Sequence, residues 1–406
     1  MGTTLKKIHL TAVYLSIIAS LLCSRGDAGS NSQDHPTAEP MRIQGAVAWD
    51  NEHGENQKYE FIDAEQLKQQ ELKQKINLNL IGSLEFPGKV GFSGHDFQVA
   101  NERVYTNLRQ RKMDPKTGQP TSAFKWLQVI DFSNPTDPVE SGALSMGYMS
   151  FCVCDDRLLV RKGPPWAVWL YDVKNSGDPV LLGTCSLPTP AIEILLTKQH
   201  AYAFGNNQYY VIDISNETSP TLVANVPQRL SSTDMELYDS MIYLAFPTGR
   251  VSQGSTRILD ITNPIKPKLL PQKASSAENL FVDYPLMFHG PYRSGIICIT
   301  DISQPSAPTL LSSFSVKADY GCKVASLRSR VYVTLAGSNL DAWDISHANQ
   351  PKHVGALPIR GLDSVGVDPE RNLVLVGSSA GENYRLSVYR DTSDAANTMP
   401  ILKYEK

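Results

Sequence analysis

One stretch of the chain, YYVIDISNETSP at residues 209–220, contains the unit that decides the fold. An apolar run ends in Asp213, and Pro220 follows seven residues later. The same pairing occurs six times, at Asp131/Pro138, Asp172/Pro179, Asp213/Pro220, Asp260/Pro267, Asp301/Pro308 and Asp344/Pro351. Successive aspartates are 41, 41, 47, 41 and 43 residues apart, a period typical of repeat proteins whose units pack against their neighbours.

The aspartate and the proline both suit a turn. An aspartate carboxylate accepts hydrogen bonds from backbone N–H groups two residues on, and proline begins a strand without needing the donor it lacks. A seventh strand, RLSVYRDT at 385–392, has Arg390 where the others have aspartate, and the pattern stops there. We therefore interpret the repeated aspartates as structural and expect no turn aspartate in the last copy.

Each repeat contains four short strands. An outer strand such as PVLLG at Pro179 is followed by a hairpin such as IEILLTKQHAYAFG (192–205) and by the strand that ends in aspartate. Four strands in about 40 residues are typical of one propeller blade. Seven hairpins occur, near Asn101, Asp155, Lys198, Asp239, Asp283, Arg328 and Glu370. The sequence thus predicts an all-β, seven-bladed β-propeller of four-stranded antiparallel blades.

The two ends of the array predict how the ring closes. The first outer strand, Ile76 to Phe86, has no earlier strand in its own blade, and the last blade lacks an outer strand. Pairing them would remove the exposed edges that promote aggregation. We expect the N-terminal strand to complete the last blade, so that the propeller spans residues 76–392.

Several of the repeats resemble a known family. The strings LQVIDFSNPTDP (127–138), YYVIDISNETSP (209–220), TRILDITNPIKP (256–267) and ICITDISQPSAP (297–308) are similar to the LVIVD repeat of exported propeller proteins. The resemblance covers roughly Ile76 to Thr392. It implies a seven-bladed propeller at the cell surface or in the periplasm, and it implies no shared activity, because fold does not give function.

The N-terminus has the features of an export signal, predicted at 1–28. Lys6 and Lys7 precede an apolar run from Ile8 to Leu22, and small residues follow at Gly26 and Ala28. An uncleaved membrane helix is the alternative, but the run is shorter than the roughly 20 residues that span a bilayer. Lipid attachment at Cys23 is a second alternative. A flexible polar leader is expected at 29–57, a short helical lead-in at 58–75 and a tail at 393–406.

Composition is that of a soluble globular chain, with 41% hydrophobic residues, 19% charged residues and a formal net charge of −3. This balance gives no support to a nucleic-acid partner, and a membrane contact is expected only through a lipid at Cys23. Cys152 and Cys154 lie two apart on one predicted strand and so face the same side. Burial as small apolar residues is the favoured interpretation, with a metal site as the alternative.

Charge is concentrated at one predicted mouth of the propeller. The loops that enter the inner strands and join the middle strands hold twelve bases: Lys89, Arg109, Arg111, Lys112, Lys116, Arg161, Lys162, Arg229, Arg250, Arg293, Lys317 and Arg360. They hold three acids, Asp114, Asp319 and Glu382. A basic face attracts anions. The predicted ligand-binding residues are Arg109, Arg161, Arg250, Arg293, Lys323 and Arg360, and the insertion at 108–124 is expected to be a contact loop or lid.

Acidic residues recur at one level of the inner strands. Aligning the hairpins on their turns gives Asp96, Ser150, Glu193, Asp234, Glu278, Lys323 and Ser364. Four clustered acids suit a divalent cation or acid–base chemistry, so the candidate catalytic residues are His95, Asp96, Glu193, Asp234, Glu278 and His289. The alternative is that each acid hydrogen-bonds the backbone of the next blade. No other cofactor is evident.

Two functions remain after this reasoning. The first is an exported binding module that presents the basic loops to an anionic small molecule, glycan or protein. The alternative is a propeller enzyme, a hydrolase, lyase or isomerase, acting on a small anionic substrate at the channel mouth. Converging acids would favour the enzyme, and acids hydrogen-bonded into the blades would favour the binding module.

Overall fold

The computed structural model describes the repeat region. The described residues are 76–91, 97–113, 120–146, 150–175, 177–228, 230, 232, 234–246, 255–271, 277, 279–290, 295–316, 323–335, 339–380 and 383–393. The export signal, Cys23, the leader, the helix expected before residue 76 and most of the tail lie outside them. The described part of the chain holds no helix that could span a bilayer.

Seven antiparallel sheets form the blades, which confirms the predicted seven-bladed β-propeller. The strands, inner to outer, are for blade 1 β2 (Lys89–Gly91) with β3 (Phe97–Ala100), β4 (Arg103–Met113), β5 (Pro120–Asp131) and β6 (Val139–Met146); for blade 2 β7 (Phe151–Cys154), β8 (Arg157–Lys162), β9 (Ala167–Asp172) and β10 (Val180–Ser186). For blade 3 they are β11 (Glu193–Leu196), β12 (His200–Phe204), β13 (Tyr209–Asp213) and β14 (Thr221–Val226); for blade 4 β15 (Asp234–Tyr238), β16 (Met241–Phe246), β17 (Ser255–Asp260) and β18 (Lys268–Leu269). For blade 5 they are β19 (Asn279–Asp283), β20 (Leu286–Gly290), β21 (Ile296–Asp301) and β22 (Thr309–Ser315); for blade 6 β23 (Val324–Leu327), β24 (Arg330–Leu335), β25 (Asn339–Asp344) and β26 (Lys352–Pro358). For blade 7 they are β27 (Leu362–Asp368), β28 (Leu373–Ala380), β29 (Asn383–Asp391) and β1 (Leu78–Phe86).

Apolar side chains fill every seam between neighbouring blades. In β13 the residues from Tyr209 to Ile212 are all buried, because a middle strand has a neighbouring blade on each face. Its outer neighbour β14 is largely exposed. One cluster joins Leu386 of blade 7 to Val104 of blade 1, so the last blade also packs on the first. The core is therefore a ring of seam clusters.

The repeated aspartates cap turns, as their spacing predicts. The Oδ1 atom of each accepts a hydrogen bond of 2.7–2.8 Å from the backbone N–H two residues on, in the pairs Asp131/Ser133, Asp172/Lys174, Asp213/Ser215, Asp260/Thr262, Asp301/Ser303 and Asp344/Ser346. The N–H of Ser303 holds the pKa of Asp301 below its ordinary value. The aspartates thus act within the fold.

The last blade corrects one expectation. Arg390 does occupy the ladder position of the aspartates, opposite Leu373, but the turn is still capped. Asp391, one residue later, accepts a 2.8 Å hydrogen bond from the N–H of Ser393. The prediction that the last copy has no turn aspartate was wrong, since the carboxylate is shifted by one residue and retained.

The outer strands of blades 7 and 2 closely approach the aspartate turn of the following blade. A Cβ at Gly82 would lie 2.2 Å from the carbonyl oxygen of Pro135, and one at Gly183 would lie 2.4 Å from that of Glu217. The strand register shifts beside both glycines, as in a β-bulge. A missing side chain therefore lets the backbone of the next turn approach closely.

The N-terminal strand lies at the outer edge of blade 7. β1 pairs antiparallel with β29 from Leu78/Asp391 to Phe86/Tyr384. The backbone N–H of Thr392 donates to the carbonyl of Asn77 at 2.9 Å, and Phe86 is fully buried. Elsewhere, β4 and β5 continue their ladder to Met113 and Pro120, so the insertion expected as a loop at 108–124 is largely a long hairpin.

Candidate ligand-binding face

The two ends of the propeller differ in what their side chains do. We call the end with the aspartate turns the turn end, and the opposite end, where the chain enters each inner strand, the entry end. At the turn end Arg371 donates to the carbonyls of Phe132 and Ser133 in the next blade, at 3.0 and 3.2 Å. Arg103 makes the same contact with Val173. Contacts between blades thus occupy the turn end.

At the entry end the loops of blades 2 and 3 are described most completely. They comprise residues 163–166, 187–192 and 205–208. Five predicted site residues, His95, Asp96, Glu278, Arg250 and Arg293, lie outside the described residues. The other predicted site residues, Glu193, Asp234, His289, Arg109, Arg161, Lys323 and Arg360, have described positions.

The strand register changes the membership of the predicted acidic level. Glu193 pairs with Phe204 and Asp234 with Ala245, each four residues after the start of the second strand. In blade 5 the equivalent pair is Asn279 with Gly290. This level is therefore occupied by Asn279, and Glu278, which was predicted there, lies outside the described residues.

Side chains at this level hydrogen-bond the neighbouring blade. Asp234 Oδ2 accepts a hydrogen bond of 3.1 Å from the N–H of Leu280 in blade 5. Ser150 Oγ donates to the carbonyl of Ile192 in blade 3 at 3.4 Å. Nearby on the same side of an inner strand, Gln98 accepts from the N–H of Val153 at 2.8 Å. Asp234 therefore hydrogen-bonds the backbone of the next blade, as the alternative interpretation of the acids predicted.

Glu236 is an acid that the sequence reasoning missed. It follows Asp234 by two residues on β15, so both side chains lie on the same side of the strand. Burial, and to a lesser degree the carboxylate of Asp234, raises the pKa of Glu236 to about 8, while Lys323 opposes the shift. The sequence DMELY (234–238), in which two acids are separated by one residue, was the signal that could have revealed Glu236.

His289 lies in the core and not on a mouth loop as expected. It belongs to β20 and pairs with Leu280 and Cys298 on the two adjoining strands. The side chain is 1% exposed, and its Nε2 is 2.9 Å from Thr300 Oγ1. Its predicted catalytic position at the mouth was wrong.

Bases at the entry end are held by neighbouring side chains. Arg161 Nε donates to Ser150 Oγ at 3.1 Å. The Lys162 ammonium lies 3.6 Å from the centre of the Trp169 ring, a cation–π contact. Burial lowers the pKa of Lys162. Arg360 lies in an exposed turn. Cationic groups are thus fixed on blade 2 and exposed on the linker before blade 7.

Asp363 is a second missed acid, between blades 7 and 1. It sits where the register of β27 shifts, so it is an extra residue of a β-bulge. Ser379 Oγ donates to its carboxylate. Burial raises the pKa of Asp363, and the Ser379 hydroxyl and Arg109 oppose the shift. Arg109 therefore acts partly on an internal carboxylate.

A polar trio at the entry end of blade 3 was also missed. Gln208 Nε2 donates to Thr189 Oγ1 at 2.7 Å and to Tyr210 Oη, and the two hydroxyl oxygens lie 2.6 Å apart. Tyr210 is fully buried, whereas Thr189 is exposed. Thr189 comes from the linker before blade 3, Gln208 from a loop and Tyr210 from a strand, so no local motif marks them.

Metal ligands are not grouped in the described part of the chain. No cluster of three or more His, Cys, Asp or Glu side chains there could hold an ion. Cys152 packs against the core between blades 2 and 3, and burial raises the pKa of its thiol to about 12. A neutral buried thiol is a poor metal ligand.

A family model matches three segments of the chain that contain aspartate turns. Residues 123–145, 193–227 and 294–316 match the LVIVD repeat. The chain carries LVIVD repeats. The first and third matches cover a third strand, its aspartate turn and the outer strand, and the second covers all of blade 3. Two of the three LVIVD matches thus describe the turn end and say little about the entry end.

Solved structures with a similar fold have low sequence identity. The Cps50 (Swd1) β-propeller domain of Myceliophteria thermophila has a TM-score of 0.50 and 14% identity, over 77% of this chain and 99% of that chain. BamB from Moraxella catarrhalis has a TM-score of 0.48 and 10% identity, over 77% and 99%. Hsv2 from Kluyvelomyces marxianus has a TM-score of 0.45 and 10% identity, over 68% and 91%. Cps50 supports the propeller fold alone. A search of curated proteins gave no match.

Proposed function

We propose that this protein is an exported interaction module that binds an anionic ligand or partner at the entry end of its propeller. The observation that carries the proposal is the pair Arg161 and Lys162 at the end of β8, each held in place by a neighbouring side chain. Fixed cations lose little conformational freedom when an anion binds. Arg360 adds an exposed positive charge at the same end.

The different roles of the side chains at the two ends of the propeller support this proposal. At the turn end, arginines such as Arg371 join neighbouring blades and the aspartates cap their own turns, so these charges are already used. Loops on a rigid scaffold are where binding residues concentrate. The entry end is the part of each repeat that varies, and it carries the excess of basic residues in the sequence.

The enzyme alternative has less support. Asp234 caps the inner strand of blade 5, and His289 is buried against Thr300. A catalytic acid or base must reach the proton that it transfers, and His289 is enclosed by the blade. Export rests on the basic, apolar and small residues in order at the N-terminus.

The test compares two sets of three charges. Binding of dextran sulfate is measured by calorimetry for the mature chain and for the variant Arg161→Gln/Lys162→Gln/Arg360→Gln. Three screened ion pairs at about 0.5 kcal/mol each predict a loss of roughly tenfold in affinity. The matched control is Lys174→Gln/Lys266→Gln/Lys352→Gln, three exposed lysines of the turn end.

The control should bind dextran sulfate within about twofold of the unmodified protein, since its charges lie at the other end. Equal losses in both variants would mean that net charge alone attracts the polymer. Absence of binding by the unmodified protein would also reject the proposal. Melting temperatures of the variants exclude misfolding as a cause, because Arg161 also bonds Ser150.

A further inference from the structure

The entry-end surface of blades 2 and 3 combines three kinds of group that bind sugars. We call it the blade 2–3 sector and define it by Arg161, Trp166, Thr189, Gln208 and Tyr210. Hydrogen bonds connect its parts. The N–H of Leu187 donates to the carbonyl of Trp166 at 2.9 Å, and Arg161 reaches the same linker through Ser150 and Ile192.

The hydrogen bonds within the polar trio leave one donor and one acceptor of its side chains unused. The short contact between Thr189 and Tyr210 holds one hydroxyl proton. Because Tyr210 is buried, its proton takes that place, and the proton of the exposed Thr189 hydroxyl points away from the trio. Gln208 Oε1 accepts no hydrogen bond from the residues that the structure describes. One O–H donor and one amide acceptor thus face solvent together.

An aromatic ring packs against the apolar cluster that contains Tyr210 of the trio. Trp166 is partly buried against the core between blades 2 and 3, which fixes its orientation. The exposed prolines 164 and 165 precede it in the same turn. The remaining exposed part of the indole offers a rigid apolar face at low entropic cost. Such a face suits the C–H surface of a pyranose ring.

The positive charge of the sector favours acidic sugars over neutral ones. Arg161 lies near the end of the strand that leads into the Trp166 turn, on the side that faces blade 3. Lys162 packs on Trp169 on the opposite side of the strand and is not part of the sector. A guanidinium held by a hydrogen bond can pair with a planar carboxylate. An acidic peptide would use this cation as well, but it would not require a fixed hydroxyl and amide next to an indole face.

We infer that the blade 2–3 sector binds a uronic-acid-containing oligosaccharide. The carboxylate would meet Arg161, the ring would lie on Trp166, and a sugar hydroxyl would bridge Thr189 and Gln208. This inference rests on the proposed function and adds the class of ligand and its place on the ring.

The experiment uses the mature chain and three probes of similar length: oligogalacturonate, the neutral cello-oligosaccharide and a polyglutamate peptide. Calorimetry measures their affinities. Oligogalacturonate should bind at least tenfold more tightly than either other probe. Thr189→Val should weaken that binding about fivefold, since one hydrogen bond is lost. Gln208→Leu and Trp166→Leu should weaken it by at least the same factor.

Thr221→Val is the matched control, because Thr221 is an exposed threonine on the outer strand of the same blade. It should leave affinity unchanged. If polyglutamate binds as tightly as oligogalacturonate, depends on Arg161 and Lys162 and ignores Thr189, the sugar inference fails while the anionic-ligand proposal stands. If no probe responds to Arg161→Gln/Lys162→Gln, both fail. A melting temperature for each variant identifies any loss that comes from unfolding.

Discussion

The carboxylate of Asp391 accepts a 2.5 Å hydrogen bond from the hydroxyl of Tyr332 across the seam between blades 7 and 6. Both residues are buried. In blade 6 the position equivalent to Asp391, directly after the ladder position of the aspartates, holds the apolar Ile345. Burial, followed by the Asp391 carboxylate, raises the pKa of Tyr332. The last blade thus has a polar contact where the repeat has an apolar one.

We expect Tyr332→Phe to lower the free energy of unfolding by about 1–3 kcal/mol, because a buried carboxylate would lose one of its donors. Asp391→Ile/Tyr332→Phe should lose less than the sum of the single changes, since it restores an apolar seam. Urea unfolding of the four proteins in the cycle measures the coupling. Tyr209→Phe is the control, because the buried Tyr209 hydroxyl has no partner among the described residues. Additive single changes would contradict the coupling.

Removal of β1 should open the ring. A chain that begins at residue 87 leaves β29 with an unpaired edge and exposes part of the seam that Phe86 fills. Its melting temperature should fall by at least about 10 °C, whereas a chain that begins at residue 58 should melt like the mature protein. Equal melting of the two truncated chains would contradict a closing role for this strand.

Gly82→Ala should destabilise the contact of β1 with the turn of blade 1. The new Cβ would lie 2.2 Å from the backbone oxygen of Pro135, which no side-chain rotation can relieve. A loss of about 1–3 kcal/mol is expected from overpacking and backbone displacement. Gly163→Ala is the control, because its Cβ would meet only Trp166 at 3.9 Å. Thermal unfolding that ranks the two variants equally would argue against the close approach.

Glu236→Gln should change how stability depends on pH. The pKa of Glu236 is raised from 4.5 to about 8 in the folded chain, so the folded state retains a proton that the unfolded state releases. This contribution is fully present below pH 4.5 and is lost as pH rises to about 8. The variant should therefore gain stability relative to the unmodified protein between pH 5 and 8. Parallel curves for the two proteins would mean that Glu236 ionises normally.

The aspartate turns are a feature that the local sequence pattern predicts correctly. Asp213 contacts the N–H of Ser215, so a few residues decide the interaction, and their spacing predicted it. The residue at the acidic level of blade 5 was predicted less well, since Asn279 occupies it. The turn of blade 5 is at residues 284–285 and not at Asp283, and a shift of one residue changes the face that a strand side chain occupies.

The sequence by itself determined the repeat, the number of blades, the turn chemistry and the basic bias of one set of loops. These features depend on neighbours within about ten residues or on composition. Only the tertiary structure decided that Asp391 meets Tyr332, that His289 is enclosed and that Thr189 joins Tyr210 and Gln208. Those contacts depend on which side chains two strands or two blades bring together, and the short period that specifies each strand leaves that pairing open.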